Sequence, residues 1–509
     1  MSNSWTTEPP GSPLSAPATP DPGADGEQLF QRGRLVRGWV VLVGGDLLAK
    51  GIALVVLGLI ARNLGLLQFG TYSFGVAYGA FFVLFVDLGL DAITTRELTA
   101  RPGDEGVLLG SALAVKGALV IVTLAGASLA AILFHPGLRV PALVSTLALV
   151  ATLPGTPALL LNARVRVVAA TVVQLVGSVM LLGLTVLALV LGAGPVGVLA
   201  VDTVTTISIG LVLAAVALSG SSVRLSVDSA TVRQLVRAAA PVGLAMLGMI
   251  VYRRSDQLLL ARWSSVRELA GYAAAVRLVD ALNVIPLAVA TLALPALTYL
   301  NRRVGSRDRV DRMTHAGLRF LAATILPIAA LATLAGGTML RLTLGPEYQW
   351  AATSLALLLW AHFFGFAGVL VNGALIARGQ PRFLATLTLL GATVNVAVNA
   401  YAIPRYGADG AAVASLIAYA VPFVAGLAVA PVRDVFVLVF RAALRPAVAA
   451  GIILAVLSAA RTSEVVSLLL FGPVAAVALV VTKSISIAEI REIILEISRR
   501  PSAARTVNS

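Results

Sequence analysis

The chain has 509 residues, of which 58% are hydrophobic and only 12% charged, with a mean hydropathy of +0.93. A soluble domain carries about a quarter charged residues, so the composition excludes an ordinary soluble fold and predicts a bundle of helices that satisfy their own backbone groups inside lipid. A net charge of +14 does not indicate a nucleic-acid partner, because the arginines are dispersed between apolar segments. With no cysteine, disulfides and thiolate chemistry are excluded; His135, His315 and His362 are too scattered for a metal cluster, so neither metal nor cofactor is expected.

Residues 1–28, rich in Pro, Ser, Thr, Gly and Ala, read as a disordered tail. The apolar stretch that begins near Trp39 is full-length and has no small-residue cleavage site behind it, so it reads as a retained helix and not as a signal peptide. About 14 stretches near the roughly 20 residues needed to cross a bilayer are expected. Six fall at 39–60, 71–91, 107–133, 141–161, 168–191 and 196–219. A charged linker at 220–237 leads to six more at 238–260, 270–299, 317–338, 350–377, 383–403 and 410–431, and two close the bundle at 437–460 and 464–482. After Lys483, the segment SISIAEIREIILEISRR gathers its isoleucines near one helical face and reads as an amphipathic helix on the inner membrane surface, or as a helical cap on the bundle.

The loops alternate in charge. One set holds Arg32, Arg34 and Arg37; Arg96 and Arg101; Arg164 and Arg166; Arg224, Arg233 and Arg237; Arg302, Arg303, Arg307, Arg309 and Arg312; Arg378 and Arg382; Arg433, Arg441 and Arg445; and Lys483, Arg491, Arg499, Arg500 and Arg505. The other holds only Arg62, Arg139, Arg262, Arg267, Arg341, Arg405 and Arg461. The positive-inside rule then places both termini in the cytoplasm. A gap-free repeat at an offset of 200 residues pairs LVR at 35–37 with LVR at 235–237, Ala61 and Arg62 with Ala261 and Arg262, and Tyr72 with Tyr272. It predicts two parallel six-helix lobes, residues 29–219 and 238–431, related by an axis along the membrane normal, with two further helices within 432–482.

Charges that remain inside spans cost about 2.5–3.5 kcal/mol each at the centre of a helix, so they face protein or a watery cavity. They are Asp46 and Lys50 in the first span, Asp87 in the second, Lys116 in the third, Arg253, Arg254 and Asp256 in the seventh, and Arg277 and Asp280 in the eighth. One reading is local neutralisation: Asp46 with Lys50, Arg253 with Asp256, and Arg277 with Asp280 are three or four residues apart on a helix. The other is a hydrated cavity in which Lys50, Lys116, Arg253, Arg254 and Arg277 receive an anionic head group, with Asp46, Asp87, Asp256 and Asp280 left for ion coupling or charge pairing. Arg254 and Lys116 lack an evident partner in sequence and are the sharpest candidates. There is no GxxxxGK[ST] loop and no sizeable soluble domain, so an enzyme is not expected. A membrane glycosyltransferase using Asp87 or Asp256 is the non-transporter alternative.

Three stretches carry a family resemblance. Residues 61–98 contain the Arg62, Leu64, Gly65 turn, Phe69 to Tyr72, and the ending Asp87, Gly89, Asp91, Arg96, Glu97. Residues 253–282 contain Asp256 with Gly271 and Tyr272, and the third set is LGPEYQWAATSL at 344–355, LIARGQPR at 375–382 and NAYAIPRYGADGAAVASLIAY at 399–419. Together they resemble the polysaccharide-exporting branch of the multidrug, oligosaccharidyl-lipid and polysaccharide flippase superfamily. The resemblance implies a V-shaped inner-membrane flippase of two six-helix bundles that moves undecaprenyl-diphosphate-linked oligosaccharide to the outer leaflet by alternating access. It also implies membrane lipids and polysaccharide polymerase or glycosyltransferase machinery as partners, with Arg96 and Glu97 forming a cytoplasmic gate or a mutual pair. A cation-coupled drug or metabolite antiporter and a lipid II flippase are the alternatives within the same fold.

Overall fold

The computed structural model describes residues 22–164, 167–219, 223–290, 307–460 and 463–484, and every regular element among them is helical. In chain order these are α1 (Pro22–Asp87), α2 (Leu90–Ala100), α3 (Glu105–Phe134), α4 (Arg139–Thr146), α5 (Thr152–Gly155), α6 (Leu159–Ala163), α7 (Val167–Val190) and α8 (Pro195–Leu218). The second half contains α9 (Ser229–Trp263), α10 (Val266–Ala281), α11 (Arg307–Thr343), α12 (Ala352–Ala377), α13 (Pro381–Ala428), α14 (Arg433–Ala459) and α15 (Glu464–Val481). Eleven helical segments among the described residues are long and apolar enough to cross a membrane. Side chains such as Val190 (78% exposed), Leu469 (73%) and Ile121 (71%) point outward, a surface suited to acyl chains and not to water.

Helix breaks organise the bundle. At about 1.5 Å per residue a straight α1 would run about 100 Å, three times the hydrocarbon thickness of a bilayer, and the chain turns at Gly65, where φ is 70° and ψ 173°. The 48-residue α13 breaks in the same way at Gly407 (φ 54°, ψ −127°), and α11 is interrupted at Ala335 (φ −135°, ψ 20°). Each break leaves backbone N–H groups without an intrahelical acceptor. At two breaks a carboxylate from another element supplies it: Ala408 N donates to Glu268 Oε2 at 2.8 Å, and Thr338 N donates to Glu464 Oε2 at 2.6 Å. Glu268 is itself placed by the N-cap Ser265, whose Oγ accepts from the Glu268 backbone N–H at 3.2 Å.

Several expected boundaries move. The fourth span is a relay of short α and 3-10 pieces from Pro136 to Ala163, because Pro141, Pro154 and Pro157 remove donors from the ladder. The second half of the expected 220–237 linker is helix. α9 starts at Ser229 behind Asp228, whose carboxylate accepts from Thr231 N at 2.8 Å and Thr231 Oγ1 at 2.7 Å; the hydroxyl and then the amide hold that carboxyl below the usual range. α11 likewise begins at Arg307, ten residues before the apolar run. α1 begins at Pro22, inside the expected tail, where a proline in the first turn and Asp25 and Glu27 near it suit a helix start. Residues 1–21, the last part of the expected eighth span at 291–299, and the amphipathic tail at 485–509 lie outside the described residues.

One continuous buried cluster runs from Val56 and Ile60 through Phe69, Tyr272 and Tyr348 to Phe366, so the two halves share a core where α1 meets α10 and α11. That seam lies at the arginine-poor end. Arg62 donates to the Leu342 carbonyl, Tyr348 OH donates to the Ala61 carbonyl at 3.3 Å, and the rings of Phe69 and Tyr348 pack edge to face at 5.4 Å. At the opposite end Leu88 packs on Gly243, Arg101 Nη1 donates to Gln234 Oε1 at 3.4 Å, and Asp228 N donates to Ser111 Oγ at 3.2 Å.

Candidate functional site

The sequence candidates fall into separate groups. Asp46 and Lys50 form the expected pair at 2.9 Å on the half-exposed face of α1. Lys116, expected to stand alone, does not: its side chain is only 3% exposed and its Nζ lies 2.6 Å from Asp91 Oδ1. The partner escaped notice because Asp91 lies 25 positions upstream, on the short α2 that starts after a backbone reversal at Leu88 (φ 41°) and Gly89 (φ 79°). Asp87 bridges that reversal, accepting from Asp91 N at 3.0 Å, which restarts the chain as α2 and aims the Asp91 carboxylate at α3.

In the second half, Arg254 is also paired, at 3.4 Å to Asp280, which accepts a further hydrogen bond from Asn283 Nδ2 at 3.1 Å. This corrects two expectations at once: Arg254 has a partner, and that partner is the carboxylate assigned to Arg277. The Arg253 side chain lies outside the described residues. Asp256, expected to neutralise it, is 6% exposed and receives the Tyr272 hydroxyl and the Gln257 amide, the latter at 2.8 Å. Tyr272 also contacts Ser415 Oγ at 3.2 Å, and the neighbouring Ser255 donates to Asn395 Oδ1 at 3.1 Å. Burial of a carboxylate requires such partners. The joint presence of Asp256 and Tyr272 in one motif is thereby explained as a hydrogen bond between α9 and α10.

Arg277 of α10 lies within electrostatic range of Asp202 of α8 and of buried Tyr72 of α1, across the two halves. Asp202 meets the same criterion as the other intramembrane charges, an acid inside an apolar span, and belongs with them. Glu97 accepts from Arg96 at 2.7 Å and from Arg101 at 3.2 Å; with Glu97 buried and both arginines at the surface, this is a triplet at the arginine-rich end and not an isolated pair. Arg378, expected to be a topology-setting loop charge, clamps Asp311 at 2.6 Å and Asp434 at 2.7 Å, tying α11, α12 and α14 together.

Beside Asp280 and Asn283 a cavity of about 220 Å³ opens within the second half, walled by Asn283, His362, Asn372, Tyr419, Phe423 and Phe436. At the arginine-poor end His135 packs 5.0 Å from Phe74, and burial first, then Arg262, pushes its imidazole below the ordinary range, so it stays neutral near pH 7. Among the described residues no three metal-ligating side chains converge.

Long apolar helices in two halves, with ion pairs held inside each half, define a polytopic helical membrane protein. The model described as "Polysaccharide biosynthesis protein" matches residues 35–300, more than half of the sequence, and the chain belongs to that family. The MatE model matches residues 241–401. Among solved structures the fold is similar to "Lipid II flippase MurJ, inward closed conformation" (TM-score 0.72, 12% identity, 89% of this chain and 100% of that one). It is also similar to an inward-facing multidrug resistance MATE family transporter of the MOP superfamily (TM-score 0.55, 15% identity, 80% and 94%), and to a MOP superfamily transporter from Pyrococcus furiosus (TM-score 0.51, 15% identity, 76% and 94%). No curated relative matches the chain.

Proposed function

We propose that this protein flips a polyprenyl-diphosphate-linked oligosaccharide from the cytoplasmic to the outer leaflet of the plasma membrane by alternating access of two six-helix lobes. Fourteen spans follow if the breaks at Gly65 and Gly407 each separate two crossings and α9 also crosses. The arginine distribution then sets both termini in the cytoplasm. The observation that carries the reading is the placement of Lys116–Asp91 on the first half and Arg254–Asp280 on the second, each a cation held by one exchangeable carboxylate.

A diphosphate entering between the lobes competes with those carboxylates. Its oxygens accept from the planar fork of Arg254 and from Lys116, while Asp91 and Asp280 hold the two cations in place when no substrate is bound. Family membership supports a polysaccharide precursor as the cargo. A cation-coupled antiporter is the second reading, favoured by the MatE match across the buried Asp256–Tyr272 pair.

The test is flipping in proteoliposomes that contain a polyprenyl-diphosphate oligosaccharide, read as accessibility of the sugar to an added glycosidase. Arg254→Ala and Lys116→Ala should each abolish it. Full flipping by both single variants sinks the site. Drug efflux with no effect on the lipid-linked sugar would turn the assignment to the antiporter.

A further inference from the structure

The cavity of about 220 Å³ within the second half lies beside the proposed diphosphate site and is not used by it. Along α12 its wall follows one helix face, with His362, Gly365, Val369 and Asn372 recurring every three or four residues. Tyr419 and Phe423, four residues apart on α13, and Phe436 of α14 belong to the same wall. Two glycines keep the space open. A Cβ at Gly365 would stand 3.5 Å from Tyr419 Cε2, and one at Gly368 would stand 3.9 Å from Phe423 Cζ, both ordinary contacts with other wall residues. Neither glycine has a positive φ, and glycine inside a helix is otherwise unfavourable, so the room they leave is their contribution.

The wall mixes aromatic rings with neutral hydrogen-bonding groups. His362 Nδ1 donates to the Leu358 carbonyl one turn back at 2.8 Å, which fixes the imidazole. The rings of Phe364 and Phe423 are 5.3 Å apart and tilted by 53°, and those of Phe423 and Phe436 are 5.6 Å apart at 83°, so neither pair stacks face to face. Angled rings beside the amides of Asn283 and Asn372 suit a sugar. Its C–H groups lie against aromatic faces, which are electrically negative, and its hydroxyls exchange hydrogen bonds with amides, which both donate and accept. Among the described residues the wall contains no Asp, Glu, Lys or Arg, so a carboxylate on that sugar would be buried without a countercharge. Pockets that enclose a whole drug-sized ligand run to roughly 300–1,000 Å³, so this smaller one takes a single ring and not a chain of sugars.

Asn283 connects this wall to the cation. Its Nδ2 donates to Asp280 Oδ1 at 3.1 Å, and Asp280 Oδ2 lies 3.4 Å from Arg254 Nη2, so the cavity and the arginine are two polar contacts apart. In a lipid-linked oligosaccharide the first ring is bonded directly to the diphosphate. A diphosphate held by Arg254 therefore brings that ring, ahead of any later one, beside the cavity. We propose that the cavity receives the sugar ring joined to the diphosphate and selects a neutral ring over a uronic acid, a specificity subsite that rests on the flippase reading.

The test uses the full chain in proteoliposomes with two polyprenyl-diphosphate lipids, one bearing a single neutral hexose and the other the corresponding uronic acid. Each is read as accessibility of the sugar to its own glycosidase. The native protein should flip the neutral lipid about tenfold faster than the acidic one. Gly368→Leu adds a side chain to the cavity and removes none. It should slow flipping of the neutral lipid by about tenfold, while thermal stabilisation by sugar-free polyprenyl diphosphate stays as in the native protein. Should Gly368→Leu not fold, Asn372→Leu gives the same two measurements. Equal flipping of the two lipids by the native protein, or undiminished flipping of the neutral lipid by a folded variant, overturns the subsite and leaves the flippase reading standing. Loss of the sugar-free stabilisation in the folded variant also overturns it, because the cavity would then act on the diphosphate site. Native protein that moves neither lipid overturns the flippase reading and the subsite with it.

Discussion

Single side chains in this protein are best understood through what each charge is bound to. Lys116 sits in a low-dielectric interior and is tolerable there because Asp91 is 2.6 Å away. Removing one partner strands the other, so Asp91→Asn and Lys116→Ala should each destabilise by about 1–3 kcal/mol, discounted for the partial exposure of Asp91. The double variant should cost less than the sum of the two. Thermal unfolding in detergent measures the cycle, and flipping separates structure from function: the double variant regains stability and still does not transport. Tyr272→Phe deletes a donor to the buried Asp256 carboxylate and should cost about 1–3 kcal/mol in the same assay. A change within a few tenths of a kcal/mol would show that Asp256 is satisfied without the tyrosine.

Helices in this chain are held less by their own propensity than by the carboxylates that close their breaks. Glu464 is the first residue of α15, yet its side chain serves α11, where the interruption at Ala335 leaves the Thr338 amide open. Glu464→Ala should speed hydrogen exchange at Thr338 and its neighbours and loosen α15, whereas Glu464→Gln keeps an acceptor and should change exchange far less. Equal exchange in the two variants would mean that the carboxylate does not close the break. Glu268 has the same role at Gly407, in a position where positive φ and crowding against the Glu268 side chain both exclude a Cβ.

Across the molecule the two halves touch at both ends, and the closest approach at the arginine-poor end depends on Gly70. A Cβ there would come within 2.5 Å of the Val266 carbonyl oxygen, so Gly70→Leu cannot keep the seam shut. Because the native chain has no cysteine, one thiol placed at Arg62 in the seam reports its opening directly. Labelling from the outer side should be markedly faster with Gly70→Leu than without it, and unchanged labelling would place the closure elsewhere. Arg277, acting from α10 on Asp202 and Tyr72, is the charged counterpart of this seam. Weakening that electrostatic attraction is one step the proposed rocking of lobes requires.

Composition, apolar run length and arginine placement are properties of the chain as a string. They sufficed for a helical membrane protein and most of its unusual charges, while its family was legible in three short motifs. The turn at Gly65 and the break at Ser265 between α9 and α10 lie 200 residues apart. Pairing was legible only where it was local, as for Asp46 with Lys50. Lys116 with Asp91, Arg254 with Asp280, Arg378 with Asp311 and Asp434, and the two carboxylates at helix breaks join positions 25 to 140 residues apart. A linear pattern records that a charge must be compensated in lipid but not by which residue. That choice depends on which helix faces pack together and where each helix breaks, and both are set by the fold as a whole.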